Sequence, residues 1–120
     1  MIEKKLRLSS LFNFYGNLLT DKQKEILEQY CDFDLSLGEI AENLKISRQA
    51  VYDTVKRAEK VLESYEDKLG LIAKFDLTIE KASLAIKEID LIEAKINSSS
   101  EFNDLDQLEK VKQLINEIME

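Results

Sequence analysis

The chain has 120 residues, 44% apolar and 34% charged, with no proline, no histidine, three glycines and one cysteine. That suffices for one core, or for a small domain with a helical appendage, and excludes two large domains; it favours helices over a turn-rich sheet and removes internal disulfides, the usual zinc sets and the commonest general base. The net charge is −7, but residues 36–62 carry five basic and four acidic side chains whereas residues 63–120 carry seven and fourteen, so the acidity that opposes nucleic acid lies downstream of the segment where cations gather.

Met1 to Ser10 alternates Glu3, Lys4, Lys5 and Arg7 with Ile2, Leu6 and Leu8. This is neither a signal peptide's apolar block nor a membrane span, and the expected location is the cytoplasm. Leu8, Leu11, Phe12 and Tyr15 predict a first helix over about Lys4 to Tyr15, with Gly16 as its stop. Thr20-Asp21-Lys22-Gln23 has the form of a capping box and opens a second helix, with Ile26, Leu27 and Tyr30 inward and Cys31 and Phe33 nearby. Cys31, with no flanking base, reads as a small buried apolar residue rather than a reactive thiol.

Ser36-Leu37-Gly38-Glu39 is a second capping box and starts a short helix whose inner face is Leu37, Ile40, Ala41 and Leu44. A turn through Lys45 and Ile46 leads to Ser47, a good N-cap. Val51, Val55, Ala58 and Leu62 then form the buried stripe of a helix that continues to Tyr65–Leu69 before Gly70. From Leu71 to Ile96 a long helix is predicted from Ile72, Phe75, Ile79, Ala82, Ile86, Ile89, Glu93 and Ile96, spaced alternately by three and four. A second row, Leu77, Leu84 and Leu91, lies on another face, so both faces need cover.

Asn97-Ser98-Ser99-Ser100 reads as a turn, and Leu105, Leu108, Val111, Ile115 and Ile118 as a last helix that folds back over one face. The other face then needs the N-terminal helices or a second copy of the chain. Burying five large apolar residues there contributes on the order of 10 kcal/mol before entropy, at about 2 kcal/mol each. A homodimer through the C-terminal helices is therefore expected, with packing inside one chain as the alternative. The predicted architecture is all-α: a helix-turn-helix domain over residues 1–70 and a helical packing or dimerisation extension over residues 71–120.

The helix-turn-helix spans about Ser36 to Leu62. A first helix braces a second, which lies in a DNA major groove. The crossing needs a small residue, met by Ala41, and apolar anchors, met by Ile40, Leu44, Ile46, Val51 and Val55. Many such motifs have glycine in the turn; here Lys45 would bear a left-handed backbone at about 1 kcal/mol.

The runs Leu19–Leu27, Leu35–Glu42 and Ile46–Tyr52 resemble region 4 of bacterial sigma factors. With the continuation Val55–Leu62, the sequence is more specifically similar to the YlxM-type (UPF0122) family of small bacterial helix-turn-helix proteins. The resemblance covers about Leu18 to Leu69. It implies a regulatory or accessory role in the signal recognition particle pathway, with components of that particle as partners, and a second helix that reads nucleic acid. Arg48, Gln49, Tyr52 and Asp53 would lie near bases, where arginine suits guanine, glutamine suits adenine, and a carboxylate is tolerated only against cytosine. Lys56, Arg57 and Lys60 would lie nearer phosphates, adding affinity without sequence choice. DNA is the first candidate ligand. RNA is the second, since the particle contains it, although Tyr52 alone makes no stacking platform.

The competing reading of these residues is a solvated helix face, or the docking surface of an adaptor that binds particle components without sequence-specific DNA binding. A conventional regulator of neighbouring genes is a third possibility. An enzyme is not expected, because there is no Gly-rich phosphate loop and no nucleophile–base pair. No cofactor or metal is expected either, since the carboxylates after Leu62 are spread at helical intervals.

Overall fold

The computed structural model describes residues 2–97 and 105–119, and every regular element among them is helical. The chain forms two compact units, Met1–Ile72 and Ala73–Glu120. In the first, α1 (Ile2–Tyr15) buries Leu8, Leu11, Phe12 and Tyr15. It passes into a 3-10 turn at Gly16–Leu18. Gly16 serves there by its size rather than by a left-handed backbone: a Cβ would lie 2.9 Å from the ring of Phe12, which is itself locked in the core.

Helix α2 (Asp21–Leu27) begins with the predicted capping box, Gln23 N donating to Thr20 Oγ1 and Thr20 N to Gln23 Oε1, both at 3.2 Å. Ile26 and Leu27 are fully buried. The helix then widens into a π turn, Glu28–Asp32, closed by Phe33 N donating to the Glu28 carbonyl at 3.2 Å. Such turns follow from i to i+5 hydrogen bonding and leave no mark in a 3.6-residue period. Tyr30 and Cys31 pack against the core but are half-buried, less than expected of Cys31, and the neighbouring Phe33 is 61% exposed.

Helices α3 (Leu37–Leu44) and α4 (Arg48–Leu69) form the helix-turn-helix. Ile40 and Ala41 of α3 are buried against Val51, Val55, Ala58 and Leu62 of α4. Helix α1 packs along the same helix, and Arg7 grips Glu63 with two parallel hydrogen bonds of 3.1 and 3.0 Å. Gly70, left-handed at φ 63°, ends α4 and donates its N–H to the Glu66 carbonyl at 2.8 Å. Just beyond it the buried Tyr15 hydroxyl donates to Glu66 Oε1 at 2.5 Å and accepts from Leu71 N at 3.1 Å, while the same carboxylate oxygen accepts from Ile72 N at 3.0 Å. Burial, then the adjacent carboxylate, pushes the Tyr15 phenol above its ordinary range.

The second unit is an antiparallel hairpin of α5 (Leu71–Asn97) and α6 (Leu105–Met119). Its direction follows from the cross-helix pairs: Lys95 donates to Gln107 at 2.9 Å, Lys110 meets Glu88 at 3.2 Å and Lys81 meets Glu117 at 3.2 Å. The last helix folds back as predicted, but not onto either apolar row. It seats mainly between them, where Ala85 and Val111 are buried and Ile92 and Leu114 half-buried, and reaches Ala82 of the first row, also half-buried. Phe75, Ile79 and Ile86 on one flank and Leu77, Leu84 and Leu91 on the other stay exposed. The predicted turn at Ser98–Ser100 lies outside the described residues.

Candidate nucleic-acid interface

The geometry of the outer face of α4 starts at its N-terminus. The turn before it is a Schellman closure: Lys45 adopts φ 58°, ψ 44°, and its N–H and that of Ile46 both reach the Ala41 carbonyl. This is the left-handed conformation expected of Lys45. Ser47 then caps α4, its Oγ accepting from Ala50 N at 3.0 Å. The brace helix is equally well anchored, since Glu39 N donates to Ser36 Oγ and Ser36 N to Glu39 Oε1, both at 3.1 Å. The Ser36 N–H, helped by the hydroxyl, holds the Glu39 carboxyl below its usual range.

With α4 fixed at this end and buried along Val51, Val55, Ala58 and Leu62, the opposite side faces water. Arg48, Gln49, Tyr52, Asp53, Lys56, Arg57 and Lys60 are all exposed. Helical spacing brings Gln49, Tyr52, Asp53, Lys56 and Lys60 onto one central strip. Arg48 and Arg57, nine positions apart, project about 180° from each other on its two flanks. Arg48 still lines an open groove with Gln49, Tyr52 and Leu37, whereas Arg57 lies away from it.

Two polar contacts modify the simple reading of this strip. Gln49 Nε2 donates to Asp53 Oδ1 at 2.9 Å, so the carboxylate is engaged in holding an amide rather than free. That amide keeps Oε1 and one N–H, the acceptor–donor pair that adenine requires. Lys56 sits over the Tyr52 ring, 5.7 Å from its centroid, and 3.7 Å from Glu59.

Beside the strip lies a hollow missed in the sequence. It is floored by Leu8, Leu37 and Val55 and walled by Lys4, Lys5, Tyr30, Tyr52, Lys56 and Glu59. Its lysines from α1 and its tyrosine from the π turn are far from α4 in sequence, and no local pattern joins them. The Cys31 thiol is pushed up by burial, which disfavours the reactive thiolate. No group of side chains suited to a metal ion occurs among the described residues, and none of their helices is long and apolar enough to cross a membrane.

Residues 2–119 match the family described as "Putative helix-turn-helix protein, YlxM / p13 like" (UPF0122). Among related proteins, the UPF0122 protein of Limosilactobacillus reuteri (strain DSM 20016) is 57% identical over 81 residues, 68% of this chain and 72% of that protein. The UPF0122 protein YofM of Lactococcus lactis subsp. lactis (strain IL1403) is 45% identical over 108 residues, 90% of this chain and 97% of that one. A UPF0122 protein of Bacillus thuringiensis (strain Al Hakam) is 52% identical over 92 residues, 77% of this chain and 81% of its own length.

Proposed function

The chain belongs to the UPF0122 family of YlxM / p13-like helix-turn-helix proteins, and from that premise we propose that it is a non-catalytic, cytoplasmic regulator that binds nucleic acid through the outer face of α4. The observation that carries this is the exposed strip from Gln49 to Lys60, set opposite a fully buried stripe and behind a capped N-terminus. In this reading Arg48, Gln49 and Tyr52 meet base edges in a major groove, Asp53 orients Gln49, and Lys56 and Lys60 meet phosphates. Arg57, on the far flank, contributes least. DNA is the proposed ligand and RNA the alternative. The finer placement, as an accessory of the signal recognition particle pathway, rests on the family resemblance of the sequence.

The test is a titration at several salt concentrations, with selection of bound sequences from a random pool. Affinity falls steeply with salt, Arg48→Ala relaxes the selected sequence, and Lys60→Ala weakens all sequences alike. If nucleic acid fails to bind even at low salt while a signal recognition particle protein is retained, the chain is a protein-binding adaptor instead.

The second unit supports a companion proposal, a homodimer through the α5–α6 hairpin. Two helices alone leave Ile79 and Ile86 on one flank and Leu77, Leu84 and Leu91 on the other about half exposed. A second copy of the same hairpin offers matching apolar rows, and two hairpins make a four-helix bundle. Sedimentation showing a monomer at micromolar concentration removes the dimer.

A further inference from the structure

The hollow between α1 and α4, about 170 Å³ in volume, has a composition that an isolated surface does not require. Lys4, Lys5 and Lys56 line it, with Glu59 as the one acidic residue of the lining, in a chain whose net charge is −7. Lys5 is tied to Asp34 and stands 4.6 Å from the centroid of the Tyr30 ring. Lys56 is 3.7 Å from Glu59. Lys4 has no acidic partner among the described residues. Exposed ion pairs of this kind hold their partners weakly and exchange readily for a stronger anion. Tyr30 and Tyr52 in the lining carry hydroxyl donors of the type that bind phosphate oxygens, and Leu8, Leu37 and Val55 add apolar surface that suits a sugar.

Position matters as much as charge. Tyr52 lines both this hollow and the groove of Arg48 and Gln49, so the two are contiguous. When a recognition helix lies in a groove, the sugar–phosphate strands run along its flanks. Resting on the nucleic-acid reading of α4, we propose that the hollow is a subsite for one backbone phosphodiester, and that Lys4 with Lys56 carries the interface from the helix-turn-helix onto α1. An anion entering there takes the place of Glu59 beside Lys56 and meets Lys4. Every nucleic acid has this phosphodiester, so the subsite adds affinity and no sequence preference.

The experiment titrates the full-length protein against a mixed-sequence duplex DNA, and separately the matching duplex RNA, over a range of salt. Lys4→Ala lowers the slope of log affinity against log salt by about 0.9, and Lys4→Arg restores it. Lys22→Ala removes the same charge from α2, outside the hollow, and leaves the slope unchanged. Loss in the DNA series alone assigns the subsite to DNA, and loss in the RNA series alone assigns it to RNA. If Lys60→Ala lowers the slope and Lys4→Ala does not, the subsite is wrong while the α4 reading stands. An equal loss in Lys22→Ala also overturns it, because net charge then suffices. Failure of the unmodified protein to bind either duplex at low salt overturns both.

Discussion

Asp53 is where the chemistry of the strip is most directly testable. A carboxylate facing a polyanion opposes binding, yet this one accepts a hydrogen bond from the Gln49 amide. Asp53→Ala therefore has two opposed effects. In the proposed complex, a unit charge taken away from about 6 Å off a phosphate relieves about 0.7 kcal/mol in water-like surroundings, so affinity for mixed-sequence duplex rises roughly threefold. In the proposed interface, freeing Gln49 loosens discrimination at its base, by part of the roughly 1–3 kcal/mol that a good bidentate contact supplies. Anisotropy titrations with mixed and selected duplexes separate the two, and a variant that gains both affinity and discrimination contradicts the assignment. Lys45 is a second point of strain. Its φ of 58° is where glycine is at ease, so Lys45→Gly raises stability by up to about 1 kcal/mol, visible as a higher Tm. An unchanged or lower Tm means that lost chain entropy outweighs the relief.

Helix ends carry the next consequence. The Glu39 carboxyl is held below its ordinary value of 4.5 by the Ser36 N–H and hydroxyl, so the folded state prefers it ionised. Its stabilisation is fully present above that ordinary value and is lost as pH falls through the lower folded-state value. Glu39→Gln keeps the acceptor but not the charge at the helix N-terminus. Tm measured from pH 7 to pH 3 should show the unmodified chain ahead at neutral pH and the gap closing in acid; a gap constant with pH would exclude the carboxylate as its source. The ends of these helices were legible in the sequence because caps are local: both Ser/Thr-x-x-Glu/Gln boxes, Ser47 and Gly70 act within a few residues of where they stand. The π turn was not, since Glu28–Asp32 contains no glycine or proline, and the widening depends on how the segment meets α1 and α3.

Across the molecule, periodicity identified which residues share a face and left open which face is covered. Val51, Val55, Ala58 and Leu62 point to a core whichever helix they meet, and they are buried. On α5 two apolar rows competed, and α6 seats mainly between them, over Ala85 and Ile92. The candidate strip on α4 could be read from one helix. The hollow beside it could not, because Lys4, Tyr30 and Lys56 meet only after folding. Dissection of the chain offers one more expectation: a fragment of residues 1–74 is more stable than one of residues 1–70 by about 2 kcal/mol or more, since Ile72 is 94% removed from water and belongs to the first unit. Urea unfolding of the two fragments measures the difference, and equal midpoints contradict it.

That expectation has its root at the phenol of Tyr15. The hydroxyl and the neighbouring carboxylate draw N–H groups from Leu71 and Ile72, so the opening turn of the hairpin's first helix is structurally a piece of the preceding unit. The glycine that looks like a natural cutting place in the sequence is thus the wrong one. Anyone trimming the protein to its helix-turn-helix unit needs to keep the residues just past it, or leave a tyrosine and a glutamate without the backbone amides they were folded around.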